Sequence, residues 1–245
     1  MHILVTRPEA DAAALKLPLE AMGHRVSLAP MMTISFENAE PVGVRDCTAL
    51  IATSRNGLRG LEHQRAKLTP DIFKVPLYAV GPGTAALAKT LGFMRVIEGP
   101  ATAADLVPLL VRDLDPSKDI LVHLAGDTLA FDLNDVLTPL GFCLYQPVVY
   151  RSVPVSALPP GVAQDIAEGR IDAIVLMSPR TAQTFVNLVM KQGLVQTARK
   201  TSYICLSAAV SNQLGALQPV RTEVALKPNL EETLGAVRRL TEQFR

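Results

Sequence analysis

The chain carries one pattern twice. Ile3-Leu4-Val5 recurs as Ile120-Leu121-Val122, and Ala49-Leu50-Ile51-Ala52-Thr53-Ser54 as Ala173-Ile174-Val175-Leu176-Met177-Ser178. Tyr78-Ala79-Val80 recurs as Tyr203-Ile204-Cys205, and Val96-Ile97-Glu98-Gly99-Pro100 has a counterpart ending at Pro228. The offset drifts from roughly 117 to roughly 128 residues, as loop insertions require. Each copy reads as short apolar strands alternating with helices, a pattern that gives a parallel sheet covered on both faces. Ligands of such sheets sit at the carboxyl ends of the strands. The repeat therefore predicts two sets of strand-to-helix loops, expected to face one cleft.

Composition narrows the function. Of 245 residues, 49% are hydrophobic, enough to fill a core in each of two domains of ordinary size. A net charge of +1 and the absence of Trp argue against nucleic acid, which needs a basic surface or a stacking platform. Cys47, Cys143 and Cys205 form no C-x-x-C pair and read as small core residues of a reducing compartment. His2, His24, His63 and His123 lack metal-ligand spacing. No signal peptide and no bilayer-length apolar run is visible, so the expectation is a cytoplasmic protein. With no obvious apolar surface helix, a monomer is expected.

In the first copy, strands are read at Ile3–Thr6, Arg25–Ala29, Leu50–Thr53, Leu77–Val80 and Arg95–Ile97. Helices are read at Glu9–Met22, from Ser54, at Ala85–Leu91 and at Ala103–Leu110 behind a Thr102 cap. The second copy starts at Asp119 and ends in a helix from Glu231 to Phe244. One place breaks the rule. A parallel sheet needs a crossover after its second strand, yet Met31–Phe36 looks extended and Pro41 and Gly43 follow. The matching segment, Val148–Pro154, is extended too. Both segments are read as connectors that leave one sheet, pair as a two-stranded antiparallel ladder and join two α/β lobes. The first lobe would hold residues 1–35 and 155–245, the second 36–154. Two sequential halves remain the plain alternative.

The loops after the strands are rich in small and hydroxyl residues. Arg7 follows the first strand, Ser54 and Arg55 the third, and Gly81-Pro82-Gly83-Thr84 the fourth; Ala125-Gly126-Asp127-Thr128, Ser178-Pro179-Arg180 and Ser207 occupy later strand ends. Free backbone N–H groups and the helix dipole favour anions there. Taken singly, Ser54, Thr84 and Ser178 read as ordinary N-caps; together the loops suit a ligand with several negative groups. Gly81-x-Gly83 fits a dinucleotide fingerprint loosely, but its counterpart Leu206-Ser207-Ala208-Ala209 has lost the glycines. Asp127 and Glu9 read as helix-end charges, and His123 as a satisfied histidine within a strand. Tyr150, in a connector and followed by Arg151, is read either as ladder packing or as a functional group.

In order and spacing these segments resemble the uroporphyrinogen-III synthase family: Ile3-Leu4-Val5-Thr6-Arg7-Pro8, Thr53-Ser54-Arg55-Asn56-Gly57, Ala79 to Ala85, Tyr150-Arg151-Ser152-Val153-Pro154, Ser178-Pro179-Arg180 and Pro228-Asn229. The resemblance covers nearly the whole chain. It implies two flavodoxin-like parallel-sheet lobes with exchanged segments. It implies a cyclase without cofactor or metal, converting hydroxymethylbilane, a linear tetrapyrrole polycarboxylate, to uroporphyrinogen III. The resemblance makes Tyr150 the catalytic candidate and places Ser54, Thr84 and Ser178 at the substrate. Arg7, Arg55, Gly83, Arg180 and Ser207 complete the candidate binding set. The chain departs from the family at Leu206–Ala209 and at Ala125-Gly126-Asp127, which has no arginine. A two-lobed protein that binds an anionic metabolite, and a dinucleotide enzyme, remain open alternatives.

Overall fold

The computed structural model describes residues 1–37, 47–68 and 70–243, so Pro41, Gly43 and Phe244 lie outside the described residues. Its strands are β1 (His2–Val5), β2 (Arg25–Leu28), β3 (Met32–Phe36), β4 (Ala49–Ala52), β5 (Leu77–Val80), β6 (Val96–Gly99), β7 (Ile120–His123), β8 (Ala125–Gly126), β9 (Cys143–Tyr145), β10 (Val148–Pro154), β11 (Ala173–Leu176), β12 (Ser202–Cys205) and β13 (Arg221–Val224). One five-stranded sheet has the order β13-β12-β11-β1-β2, the other β6-β5-β4-β7-β9. Every pair in both is parallel. Read from β2, the first sheet has the flavodoxin order 2-1-3-4-5; the second, read from β9, has the same layout with its first two positions filled by strands from later in the chain, 5-4-1-2-3.

The repeat explains the order. β1, β2, β4, β5 and β6 come from the first copy, and β7, β9, β11, β12 and β13 from the second. Each sheet takes two strands from one copy and three from the other. The segments are exchanged, and sequential halves are ruled out. Two compact units result, Met1–Thr33 with Val153–Arg245, and Ile34–Ser152.

The central strands β1, β4, β11 and β12 are buried at every position. Alternate residues serve opposite faces. Leu50 and Ala52 join Leu58, Leu61, Ala85 and Ala88 in one core. Ala49 and Ile51 join Leu106, Leu110, Leu133 and Leu137 in another. Helices α2 (Arg55–His63) and α3 (Gly81–Leu91) thus cover one face of this sheet, and α4 (Ala103–Asp113) and α5 (Leu133–Leu137) the other. In the first unit Leu4 and Ile174 pack on one side, Ile3, Val5 and Val175 on the other.

The connectors are strands. β3 and β10 are neighbours in a third sheet, with β8 on the far side of β10. Glu37 N–H donates to the Val149 carbonyl, and Val155 N–H to the Met31 carbonyl. One strand advances as the other retreats, so the ladder is antiparallel. β8 pairs parallel to β10, opposing Ala125 to Val148 and Gly126 to Tyr150.

Two glycines set the depth at which α2 lies. A Cβ on Gly57 would stand 2.5 Å from the Leu124 carbonyl oxygen, and one on Gly60 2.5 Å from the Val149 carbonyl oxygen. Both neighbours are backbone, which cannot swing aside. Gly60→Ala is therefore expected to destabilise the protein by about 1–3 kcal/mol, the usual cost of overpacking. Urea unfolding of the variant tests this, and an unchanged midpoint would show that the helix has room to move.

Candidate functional site

The second unit holds a cavity of about 600 Å³ at the carboxyl ends of its strands. Strand ends and the loops after them build it: Thr53 and Ser54 after β4, Val80 at the end of β5, Ala101–Ala104 after β6, Gly126 on β8 with Thr128–Phe131 behind it, and Tyr150 on β10. The location follows from the topology. β7 and β4 are adjacent but send their following helices to opposite faces of the sheet, and a crevice opens where the strand order reverses. The lining is mainly apolar, with Val80, Leu129 and Phe131, interrupted by hydroxyls; none of the described lining side chains is charged.

Tyr150 is held from three directions. Ser54 caps α2, accepting from Gly57 N–H at 3.2 Å, and its hydroxyl donates to the Tyr150 oxygen at 3.1 Å. This leaves the phenolic proton available to a guest. On the other side, a Cβ at Gly126 would stand 2.5 Å from Cζ and 2.7 Å from the hydroxyl oxygen of Tyr150. Only glycine leaves room for the phenol here. Asp127 clamps the adjoining backbone: its N–H donates to the Tyr150 carbonyl at 3.1 Å, and its carboxylate accepts from Ser152 N–H at 3.1 Å. Asp127 is thus a strand clamp, not a helix-end charge. Arg151 pairs with Glu37 at 3.0 Å on the surface.

A second polar chain reaches the cavity through Thr53. His123, fully buried, contacts Thr53 Oγ1 through Nε2 at 2.9 Å and Gln146 Oε1 through Nδ1 at 2.8 Å. Gln146 in turn donates to Asp132 at 2.8 Å. His123 is a satisfied histidine, and its hydroxyl partner lines the cavity.

The start of α4 adds anion-binding capacity. Thr102 caps this helix, accepting from Asp105 N–H at 3.2 Å, and Ala103 and Ala104 line the cavity. N–H groups of a first helical turn have no intrahelical partner. Sequence reading found the Thr102 cap but not its place at the site. The signal was available, because this loop also follows a parallel strand.

The structure brings together Ser54 and Tyr150 among the candidate residues. Arg55, the first residue of α2, is half-buried beside Ser54 but does not line the cavity. Gly83 is exposed on α3, with open space where a Cβ would be. Thr84 is buried inside α3 and is not an N-cap, because this helix already begins at Gly81. The other four candidates belong to the first unit. Arg7 lies 3.7 Å from Asp11. Ser178 caps helix α7 (Pro179–Lys191) through Thr181 N–H, and Arg180 is half-buried in its first turn. Ser207 precedes the four-residue helix α9 (Ala208–Ser211) without a side-chain cap.

Among the described residues, no group of three His, Cys, Asp or Glu side chains could hold a metal ion. No described helix is long and apolar enough to cross a membrane. Cys47 and Cys205 are buried, which pushes their thiols up to about 11 and about 12, away from nucleophilic use.

Burial holds His123 below its ordinary value of 6.5, against a smaller upward pull from Gln146 and Asp132. As pH falls through 6.5, the unfolded chain takes up the proton first and stability declines until the lowered native value is reached. His24 is also lowered by burial and acts in the same sense. Urea unfolding at successive pH values should show stability falling on acidification. His123→Gln should flatten part of that slope; an identical slope would remove His123 as a cause.

A family model described as uroporphyrinogen-III synthase HemD matches residues 13–234. A protein of Chlorobaculum parvum named uroporphyrinogen-III synthase is 25% identical over 237 residues, covering 92% of each chain. Among solved structures, uroporphyrinogen-III synthetase of Helicobacter pylori superposes with a TM-score of 0.66 at 17% identity, covering 98% of this chain and 99% of its own. A mutant uroporphyrinogen III synthase of Thermus thermophilus superposes with a TM-score of 0.60 at 18% identity, covering 99% of both. The structural likenesses establish the fold. The extent of the family match establishes descent: the chain belongs to the uroporphyrinogen-III synthase family.

Proposed function

We propose that Tyr150 gives the hydrogen bond that assists loss of hydroxyl in the reaction of this family. That reaction is the cyclisation of hydroxymethylbilane to uroporphyrinogen III, with inversion of ring D and loss of water, in tetrapyrrole biosynthesis. Family membership does not favour a metabolite-binding protein or a dinucleotide enzyme.

The chemistry asks for little acid and much geometry. The pyrrole nitrogen pushes electrons towards the hydroxymethyl carbon, the C–O bond breaks, and the oxygen leaves as water with one added proton. Attack by the substituted carbon of ring D gives a spiro intermediate, which fragments and recloses inverted. Unguided, the same electrophile closes at the nearer, unsubstituted position. Holding the chain in one posture is therefore the main task. The observation that carries the reading is the Tyr150 hydroxyl in the cavity, fixed between Ser54 and Gly126. Carboxylates of the substrate suit the N–H groups opening α4. Arg55, Gly83 and Thr84, on α2 and α3, do not line this cavity and are kept as candidate substrate-binding positions from the family resemblance alone. Arg7, Ser178, Arg180 and Ser207 are assigned to anion binding at the strand ends of their own unit. We read the chain as a cytoplasmic monomer without a nucleic-acid partner, consistent with its net charge of +1.

Fresh hydroxymethylbilane given to the purified protein should yield mainly the III isomer by chromatography; the I isomer alone would refute the reading. Tyr150→Phe should lower kcat by roughly 100-fold, the low end of acid–base assistance, with the isomer ratio kept. Gly126→Ala should lower kcat comparably by displacing the phenol. Full activity in Gly126→Ala would show that the position of Tyr150 does not matter.

A further inference from the structure

We infer that Thr53 is a further substrate-contacting residue, a hydrogen-bond acceptor for a pyrrole N–H, and that His123 is its positioning residue; this rests on the cyclase reading above. The argument is one of direction. The Asp132 carboxylate accepts from Asn134 N–H at 2.9 Å and from Gln146 Nε2 at 2.8 Å. These bonds hold Asp132 in its ionised form, below the usual carboxylate range. A carboxylate only accepts, so the Gln146 amide group must face Asp132 and its Oε1 must face His123. Oε1 also only accepts, so His123 carries its proton on Nδ1. Nε2 is then a lone pair, and the partner at 2.9 Å, Thr53 Oγ1, must donate to it. A threonine hydroxyl has one proton. With that proton committed inward, Thr53 offers the cavity lone pairs alone.

Ser54 and Thr102 spend their own hydroxyl protons on Tyr150 and Asp105, but two sets of groups at the cavity have the opposite sense. Tyr150 and the N–H groups of α4 donate, which suits carboxylates and a departing hydroxyl. A linear tetrapyrrole also brings donors of its own, its ring N–H groups, and Thr53 is built to accept one. The ring that expels hydroxyl gains positive charge at nitrogen as the C–O bond breaks. An N–H bond to Thr53 therefore strengthens in the transition state, which is where binding accelerates a reaction. No proton need leave the nitrogen.

The repeat supplies an internal comparison. The counterparts of His123 and Thr53 in the first unit are Thr6 and Met177. Thr6 simply donates to the Val175 carbonyl at 2.7 Å. The same strand junction thus closes with one hydroxyl, and the fold does not require a His–Gln–Asp chain behind it.

The test begins with wild-type protein and hydroxymethylbilane. If no III isomer forms, the cyclase reading fails, and that is known before any variant is measured. If it forms, Thr53→Val should lower kcat by roughly 10- to 100-fold, the loss expected for one charge-assisted hydrogen bond. Thr53→Ser, which keeps the hydroxyl, should retain most of the activity. His123→Gln should lower kcat in the wild-type background and add nothing in Thr53→Val, because it acts through Thr53. Nitrogen NMR should find the His123 proton on Nδ1 in the folded wild type. Wild-type kcat in Thr53→Val, an additive double variant, or a proton on Nε2 would each overturn the inference while leaving the cyclase reading intact.

Discussion

The second unit depends on the pairing of β4 with β7. Ala49, Leu50 and Ile51 align with Leu121, Val122 and His123, residues 72 apart in sequence and drawn from different copies of the repeat. Closing such a loop costs entropy, but the cost grows only by about 0.6 kcal/mol per doubling of length. Burying one Leu or Ile yields about 1.5–3 kcal/mol, and Leu50, Ile51 and Leu121 are fully buried. Burial wins, and the exchanged sheet is stable. The same pairing creates the crevice, because the helices that follow these two strands diverge to opposite faces. Core and site thus have one origin.

The site is then refined by backbone proximity. Gly57 and Gly60 let α2 settle against the carbonyls of Leu124 and Val149. That depth brings the N-cap Ser54 to 3.1 Å from Tyr150, the residue after Val149. Gly126, opposite Tyr150 in the parallel β8–β10 pair, gives the ring its slot. The position of the phenol therefore follows from three missing side chains and one hydroxyl.

Much of the fold was legible because strand signals are local. The Val148–Pro154 run was read as extended, and β10 has those bounds. The antiparallel ladder also followed from the two matching extended segments. Its third strand did not: Ala125-Gly126 is only two residues long and carries no period. Within the site, Ser54 and Tyr150 were legible from loop position and family resemblance. Thr102 was seen as a cap and not as a wall of the cavity. His123 was read as satisfied, but its partners Thr53 and Gln146 come from other elements and depend on register. Glycine roles were hidden for the same reason, since the atoms that forbid a Cβ belong to distant backbone. Thr84 misled as a cap because Gly81 and Pro82 begin the helix one turn sooner.

Divergence between the copies carries functional information that neither copy holds alone. At offset 124 the counterparts of Gly57 and Gly60 are Thr181 and Thr184 on α7. Both threonines are nearly buried, and Thr184 spends its hydroxyl on the Arg180 carbonyl of its own helix. A helix bearing threonine at these positions cannot settle on backbone as α2 does. The second unit has glycines where the first has threonines, and a His–Thr contact where the first has Thr6 and Met177. Both pairs of positions support residues that line one cavity: the glycines seat the helix capped by Ser54, and His123 holds Thr53. A fold that needed only to fill its cores had no reason to depart from its own repeat twice at one place. The departures fit a ligand that both accepts and donates hydrogen bonds: a polyacid with N–H groups, which we place between a donor phenol and an acceptor threonine.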